Sequence, residues 1–162
     1  MAYPLQSMLR IRAMREDRAA SDLTRARRAR TAAERTLREK TEERERYEET
    51  KEERRDRVYA AVIGRAVKIT TLDQARDAVN RIDEEGLLLE EDEKKAEREL
   101  EARTREMSAA RVRHVAAQKN KQKIELHREI WEDEDRKEQE RLSDAELEEF
   151  TGKRQGESDD EL

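Results

Sequence analysis

A seven-residue recurrence of apolar side chains sets the narrowest limit on what this chain can fold into. Starting at Ala75, every seventh residue is Ala75, Ile82, Leu89, Ala96, Arg103, Ala110, Ala117, Ile124, Trp131, Glu138 and Ala145. Nine of these eleven are apolar, although only 33% of the chain is hydrophobic. The companion series Leu72, Val79, Gly86, Glu93, Leu100, Met107, His114, Lys121 and Arg128 is apolar early and polar late. In the N-terminal half, Leu9, Leu23, Leu37 and Val58 share one register, and Leu5, Ala19, Ala26, Ala33, Tyr47 and Ala61 share the other. Two such registers are the seam positions of a coiled coil. Arg12, Glu16, Arg30, Lys40, Arg44, Lys51 and Arg54 interrupt the N-terminal seam.

Composition decides between long helices and a disordered chain. Of 162 residues, 49% are charged and 3% are aromatic. Leu, Ile, Val and Phe number only 26, below what a packed globular domain needs to surround a substrate pocket. The two signs nearly cancel, leaving a net charge of −5, whereas disordered chains of this polarity carry a stronger imbalance. Pro4 is the single proline, and two of the four glycines, Gly152 and Gly156, lie near the end. So few breakers between residues 5 and 150 favour helix throughout.

Other classes fall away on the same grounds. There is no cysteine, hence no disulfide, thiol nucleophile or cysteine-held metal. Two histidines, His114 and His127, do not make a metal site alone, and no cofactor is expected. Phosphate-binding glycine loops, nucleophile elbows and His-Glu-x-x-His are absent from the sequence, so catalysis is not expected. The longest apolar run, Ala60–Ile63, is far short of the ~20 residues that span a bilayer. No signal-peptide layout opens the chain. A soluble cytoplasmic protein without membrane insertion is the expectation.

End signals place the elements. Pro4 suits a first helical position, and Gly64 suits a helix end. Thr71-Leu72-Asp73-Gln74 reads as a capping box. The expected fold is all-α: a long two-helix antiparallel coiled-coil hairpin, with helices over about 5–63 and 72–142 and a loop over about 64–71. Ser143 and Glu146 repeat the capping pattern, so either a short helix over 144–150 or a continuing helix follows. Residues 151–162 read as a disordered acidic tail, making 143–162 an acidic extension. A short loop makes the helices antiparallel neighbours. Pairing positions whose numbers sum to about 137 sets Val58 by Val79, Tyr47 by Leu89, Leu37 by Leu100, Leu23 by His114 and Leu5 by Trp131. The paired length is then about 60 residues, roughly 90 Å at 1.5 Å per residue. Tyr3, Leu5 and Trp131 form a closing plug, and protonation of His114 on the seam loosens the hairpin.

Charge is banded along this hairpin. Residues 10–38 carry ten arginines and four acids, and 105–128 carry seven bases and two acids. The register sets these two segments side by side. Segments 39–56 and 83–101 carry net charges of −3 and −7 and also pair, while 129–162 is −10. Charge runs on coiled coils are ordinarily solvated faces that set helix pairing. The rival reading is a basic end that enters an acidic partner surface. Nucleic acid is not that partner. The run Arg25-Ala26-Arg27-Arg28-Ala29-Arg30 has seam residues on both sides rather than a following leucine zipper, and stacking aromatics are missing.

Two end segments carry a resemblance. Tyr3-Pro4-Leu5, Met8-Leu9-Arg10-Ile11-Arg12 and Arg15-Glu16-Asp17-Arg18-Ala19 at one end, and Gln122-Lys123-Ile124-Glu125-Leu126-His127-Arg128-Glu129-Ile130-Trp131 near the other, resemble the central stalk protein of type III secretion systems. This is the YscO/SctO family, related to flagellar FliJ. Thr70-Thr71 at the start of helix 2 is similar too; the acidic extension after Leu142 has no place in the pattern. The resemblance implies a non-enzymatic stalk at the cytoplasmic face of the inner-membrane export apparatus. Its termini-bearing end would insert into the hexameric secretion ATPase, its loop end would reach the export gate protein, and it would bind export chaperones. The contacts expected to face the ATPase are Arg10, Arg12, Arg15 and Arg18 with Lys119, Gln122, Lys123 and Arg128. The alternative is a generic coiled-coil scaffold or adapter that self-associates.

Overall fold

A computed structural model of the chain describes residues 3–156, with side chains through residue 149. Two helices make up the fold: α1, Gln6–Ala60, and α2, Ile69–Gly156. Among the described residues there are no strands. Pro4 sits in the turn before α1, where its missing N–H leaves no helical bond unmade. The first bonds run from the Gln6 N–H to the Tyr3 carbonyl (3.3 Å) and from the Leu9 N–H to the Leu5 carbonyl (3.0 Å).

α1 ends three residues before the expected boundary. Its bonding tightens at the close, with the Ala61 N–H on the Val58 carbonyl and the Val62 N–H on the Tyr59 carbonyl. Gly64 then turns the chain at φ +71°, a left-handed conformation that costs any other L-residue about 1 kcal/mol or more. α2 begins earlier than the capping-box pattern implied. The Lys68 carbonyl accepts from both the Thr71 and Leu72 N–H groups, so Thr71 lies inside the first turn rather than at the cap.

At the other end α2 runs on through Ser143. The serine's helix penalty is only about 0.5 kcal/mol, and surface pairs brace the approach to it. These are Asp133 with Arg136, Asp133 with Lys137 (2.7 Å) and Glu138 with Arg141 (2.7 Å). A tail over 151–162 lies outside the described residues from 157 onward, and 151–156 belong to α2.

The chain divides into two compact units. One joins Met1–Ser21 to Val112–Leu162, and the other is Asp22–Arg111. In both, α1 and α2 are antiparallel, because partners on α2 fall in number as those on α1 rise. In the first unit Tyr3 meets Trp131, Arg12 meets Asn120 and Glu16 meets His114. Its core is Tyr3, Leu9 and Ile124, with Leu5 and Trp131 packed against them, which is the expected plug. The Tyr3 and Trp131 rings are tilted by 59° with centroids 5.6 Å apart. In the second unit the buried residues are Leu23, Ala33, Tyr47, Val79, Ala96 and Ala110, all on seam positions.

Tyr47 anchors the second unit. Its ring lies over Gly86, where an added Cβ would stand 3.4 Å from the Tyr47 Cε1 and from the Lys51 Nζ. The missing side chain makes room for the ring. The phenol then reaches past it to donate to the Ile82 carbonyl at 2.6 Å, with the Glu85 carboxylate 3.2 Å away. The Arg54 guanidinium covers the ring at 4.8 Å from its centroid.

Burial raises the Tyr47 phenol above its ordinary range, and the Glu85 carboxylate adds to this. A phenol whose folded value is raised stabilises the fold fully below its unfolded value, near 10, and that stabilisation is lost as pH climbs through the folded one. Tyr47→Phe is therefore expected to lower stability by about 1 kcal/mol at neutral pH. The gap to the wild type should close in alkali, as read from urea melts followed by circular dichroism. At Gly86, alanine adds helix propensity of up to about 1 kcal/mol without a hard clash, so the melting point should rise. Gly86→Leu displaces the Tyr47 ring and should lower it.

Candidate functional site

Pairing of surface charge differs sharply between segments. Every base from Lys40 to Arg57 lies within 4.0 Å of a carboxylate, either one helical turn away or across the seam. The cross-seam pairs include Arg44 Nε with Glu93 Oε2 at 2.5 Å and Lys51 Nζ with Asp83 Oδ1 at 3.6 Å. The unit that holds the termini is mixed: Lys121, Arg128, Arg136, Lys137 and Arg141 are paired, and others are not. Arg10, Arg15, Arg18, Arg113, Lys119 and Lys123 have no ion-pair partner within 4.0 Å among the described residues. Local composition accounts for those on α1, because residues 10–38 hold ten bases against four acids, and Arg27, Arg28, Arg35 and Arg38 of the other unit are unpaired as well among the described residues.

The eight residues singled out by sequence do not form one patch. Arg10 and Arg18 are exposed, two helical turns apart on the outer side of α1. Arg12 points inward. Its Nη1 donates to the Asn120 carbonyl at 2.6 Å and ties the two helices together. Arg12 and Arg15 share a groove with Arg113, floored by Ala116 and Ala117. Lys119, Gln122 and Lys123 are exposed on α2. Arg128 is half-buried, with its Nε 3.2 Å from Glu132 Oε1, and lines an open groove beside Tyr3 and Trp131.

Both histidines have roles that the periodicity did not reveal. His127 Nδ1 is 2.9 Å from the Tyr3 hydroxyl and fastens the N-terminus to α2. His114 Nε2 is 3.4 Å from Glu16 Oε1, whose second oxygen is 3.4 Å from Lys121 Nζ. The Glu16 carboxylate thus stands between His114 and Lys121 across the seam. A third apolar line was also missed. Val112, Val115, Leu126 and Ile130 are 70%, 40%, 58% and 53% exposed on the side of α2 away from its seam. Their spacing of three, eleven and four was visible in the sequence, but it runs outside the two seam registers.

Two antiparallel helices with a saturated acidic stretch and an unsaturated basic one define a charge-displaying α-helical hairpin. The family model for the type III secretion protein YscO matches residues 5–153, and the chain belongs to that family. A solved structure described as that of a YscO homolog, CT670, from Chlamydia trachomatis has the same fold. Its TM-score is 0.79 at 22% identity, covering 100% of this chain and 99% of that one. No curated protein matches in sequence. No helix, among the described residues, is long and apolar enough to cross a membrane.

The inward and outward arginines are separable by experiment. Arg12→Ala removes one exposed bond across the helices, while the Asn120 carbonyl keeps its own helical N–H, and should cost about 0.5–1.5 kcal/mol. Arg15→Ala is expected to stay within about 0.5 kcal/mol of the wild type. Thermal melts of the two variants, compared under one buffer, check the difference.

Proposed function

We propose that the chain is the non-enzymatic central stalk of a type III secretion export apparatus. Its termini-bearing unit enters the pore of the hexameric secretion ATPase, and its loop end meets the export gate protein. It works at the cytoplasmic face of the inner membrane and also receives export chaperones. The carrying observation is the set of exposed, unpaired cations Arg10, Arg15, Arg18, Lys119 and Lys123 on a chain of this family, where the stretch from Lys40 to Arg57 pairs every base it has. Unpaired cations keep their full charge for a partner, because no internal bridge has to break first. Gln122 extends that surface, and Arg128 closes it beside the Tyr3–Trp131 plug. Arg12 supports the surface from within by holding α1 against α2.

The loop end offers different chemistry. Tyr59, Ile63, Val67, Ile69 and Leu72 are all exposed there, and Tyr59, Val62, Ile63, Leu72 and Val79 line an apolar groove. Contiguous apolar surface of this kind marks a protein contact, in keeping with a gate partner at that end.

Changing Arg10, Arg15 and Arg18 together to Glu is expected to abolish co-purification with the cognate ATPase at moderate salt. Helicity by circular dichroism should be unchanged, because all three side chains are exposed. Binding that survives the triple reversal would remove the basic contact from the proposal. Ile63→Asp at the loop end should leave ATPase binding intact while weakening capture of the gate protein.

A further inference from the structure

We infer that the outer face of α2 near the C-terminus binds a second copy of the chain, antiparallel and about a twofold axis. Lys119, Lys123, Leu126, Ile130, Asp133, Lys137, Glu140 and Asp144 recur at alternating steps of four and three. That alternation keeps all eight on one side of a helix, as a seam does. Yet this line is not the seam that α1 occupies, which carries Ile124 and the half-buried Arg128 and Trp131. Leu126 and Ile130 are 58% and 53% exposed, and Lys119, Lys123, Lys137, Glu140 and Asp144 are exposed as well.

The line is self-complementary. Its first part is basic: residues 112–131 hold five bases and two acids. The continuation is acidic: residues 132–149 hold ten acids and three bases. Laid antiparallel on a copy of itself about a point between Ile130 and Asp133, the line sets Lys119 opposite Asp144 and Lys123 opposite Glu140. A twofold axis repeats both pairs, giving four ion pairs from one register. Lys119, Lys123, Glu140 and Asp144 have no ion-pair partner within 4.0 Å in the chain among the described residues, so none has to be released. Leu126 then lies along the aliphatic stem of the partner copy's lysine at position 137, and the two Ile130 side chains flank the axis. Asp133 keeps its own Lys137 and Arg136 partners.

The size of the contact limits its strength. A helix pair over 119–144 is about 40 Å long at 1.5 Å per residue. Two single helices of that length bury less than the roughly 1,200–2,000 Å² of a stable interface. The dimer is therefore weak, concentration-dependent and sensitive to salt. The pairing does not depend on the proposed ATPase contact. If both hold, they compete for Lys119 and Lys123, and the isolated chain shows the dimer whatever the ATPase does.

Sedimentation equilibrium of the full chain tests this. At about 50 mM salt, where screening is weak, the mean mass should climb from 19.2 kDa toward twice that value as concentration rises. It should fall back at about 500 mM. Lys119→Glu with Lys123→Glu, and separately Glu140→Lys with Asp144→Lys, should each weaken association at least about tenfold by setting like charges opposite. Mixing the two double variants should restore it, because each then supplies the other's missing sign. A chain that stays monomeric at every concentration and salt overturns the inference. So does a dimer that neither double variant weakens, or one that the mixture does not restore.

Discussion

Everything in this fold rests on a seam too thin to hold by apolar burial alone. Ala33, Ala96 and Ala110 supply much of it, and alanine brings helices close while burying little area. Polar contacts across the seam complete the attachment at places where the apolar register lapses. Arg12 meets the Asn120 carbonyl, Glu16 meets His114 and Lys121, Arg44 meets Glu93, and Lys51 meets Asp83. Each alone is a partly solvated pair of modest energy. Their value lies in register. A slip of one heptad would leave Glu16 beside one of its two partners, but it would set Arg44 toward Gly86 or Leu100 instead of Glu93 and take the Tyr47 ring off Gly86.

Tyr47 shows the same logic with a larger side chain. A glycine inside a helix normally weakens it, yet Gly86 is where the seam takes in its largest buried ring. The ring, the Ile82 carbonyl and the Arg54 guanidinium together make a lock that fits one register. Tyr3 does the equivalent job for the other unit, through Trp131 and the His127 nitrogen. Two tyrosines with hydroxyls spent on α2 thus fasten a chain that is otherwise alanine and charge.

The fold was legible in the sequence because a seven-residue period survives any composition. Leu9, Leu23, Ala33, Tyr47, Val79, Ala96, Ala110 and Ile124 were all on the seam by spacing, and all are buried. Boundaries were less legible. A capping pattern at Thr71 competes with a backbone that first closes at Lys68, and a lone Ser143 does not stop a well-braced helix. The candidate site was legible only as a local excess of bases. Spacing already set Arg12 among the residues that interrupt the seam, but the Asn120 carbonyl it meets there was not legible in one dimension. The residues that interrupt the seam looked like defects in one dimension. Their partners, such as Glu93 for Arg44, become visible only once the two helices are side by side.

Charge on this chain acts by display rather than by chemistry. Tyr47 is the one group whose titration is displaced chiefly by burial among the described residues. The other displaced groups owe their shifts to neighbouring charges on an open surface, through hydrogen bonds in most cases and through the nearby Asp83 carboxylate at Arg55. Lys137 and Arg136 hold Asp133 below the usual carboxylate range, and Lys94 does the same for Glu90. A solvated carboxylate held more firmly in its charged form makes a poorer proton donor and a better fixed charge. The surface is thus built to keep its signs constant while the spacing along α2 decides what those signs meet. Where both signs lie within one turn they neutralise each other, as between Lys40 and Arg57. Where one sign stands alone, as at Lys119 and Lys123, the charge is solvated and stays free for an external surface of the opposite sign. If the proposed ATPase contact and the inferred self-pairing both hold, the basic part of the line and its acidic continuation make recognition and its restraint two uses of one face.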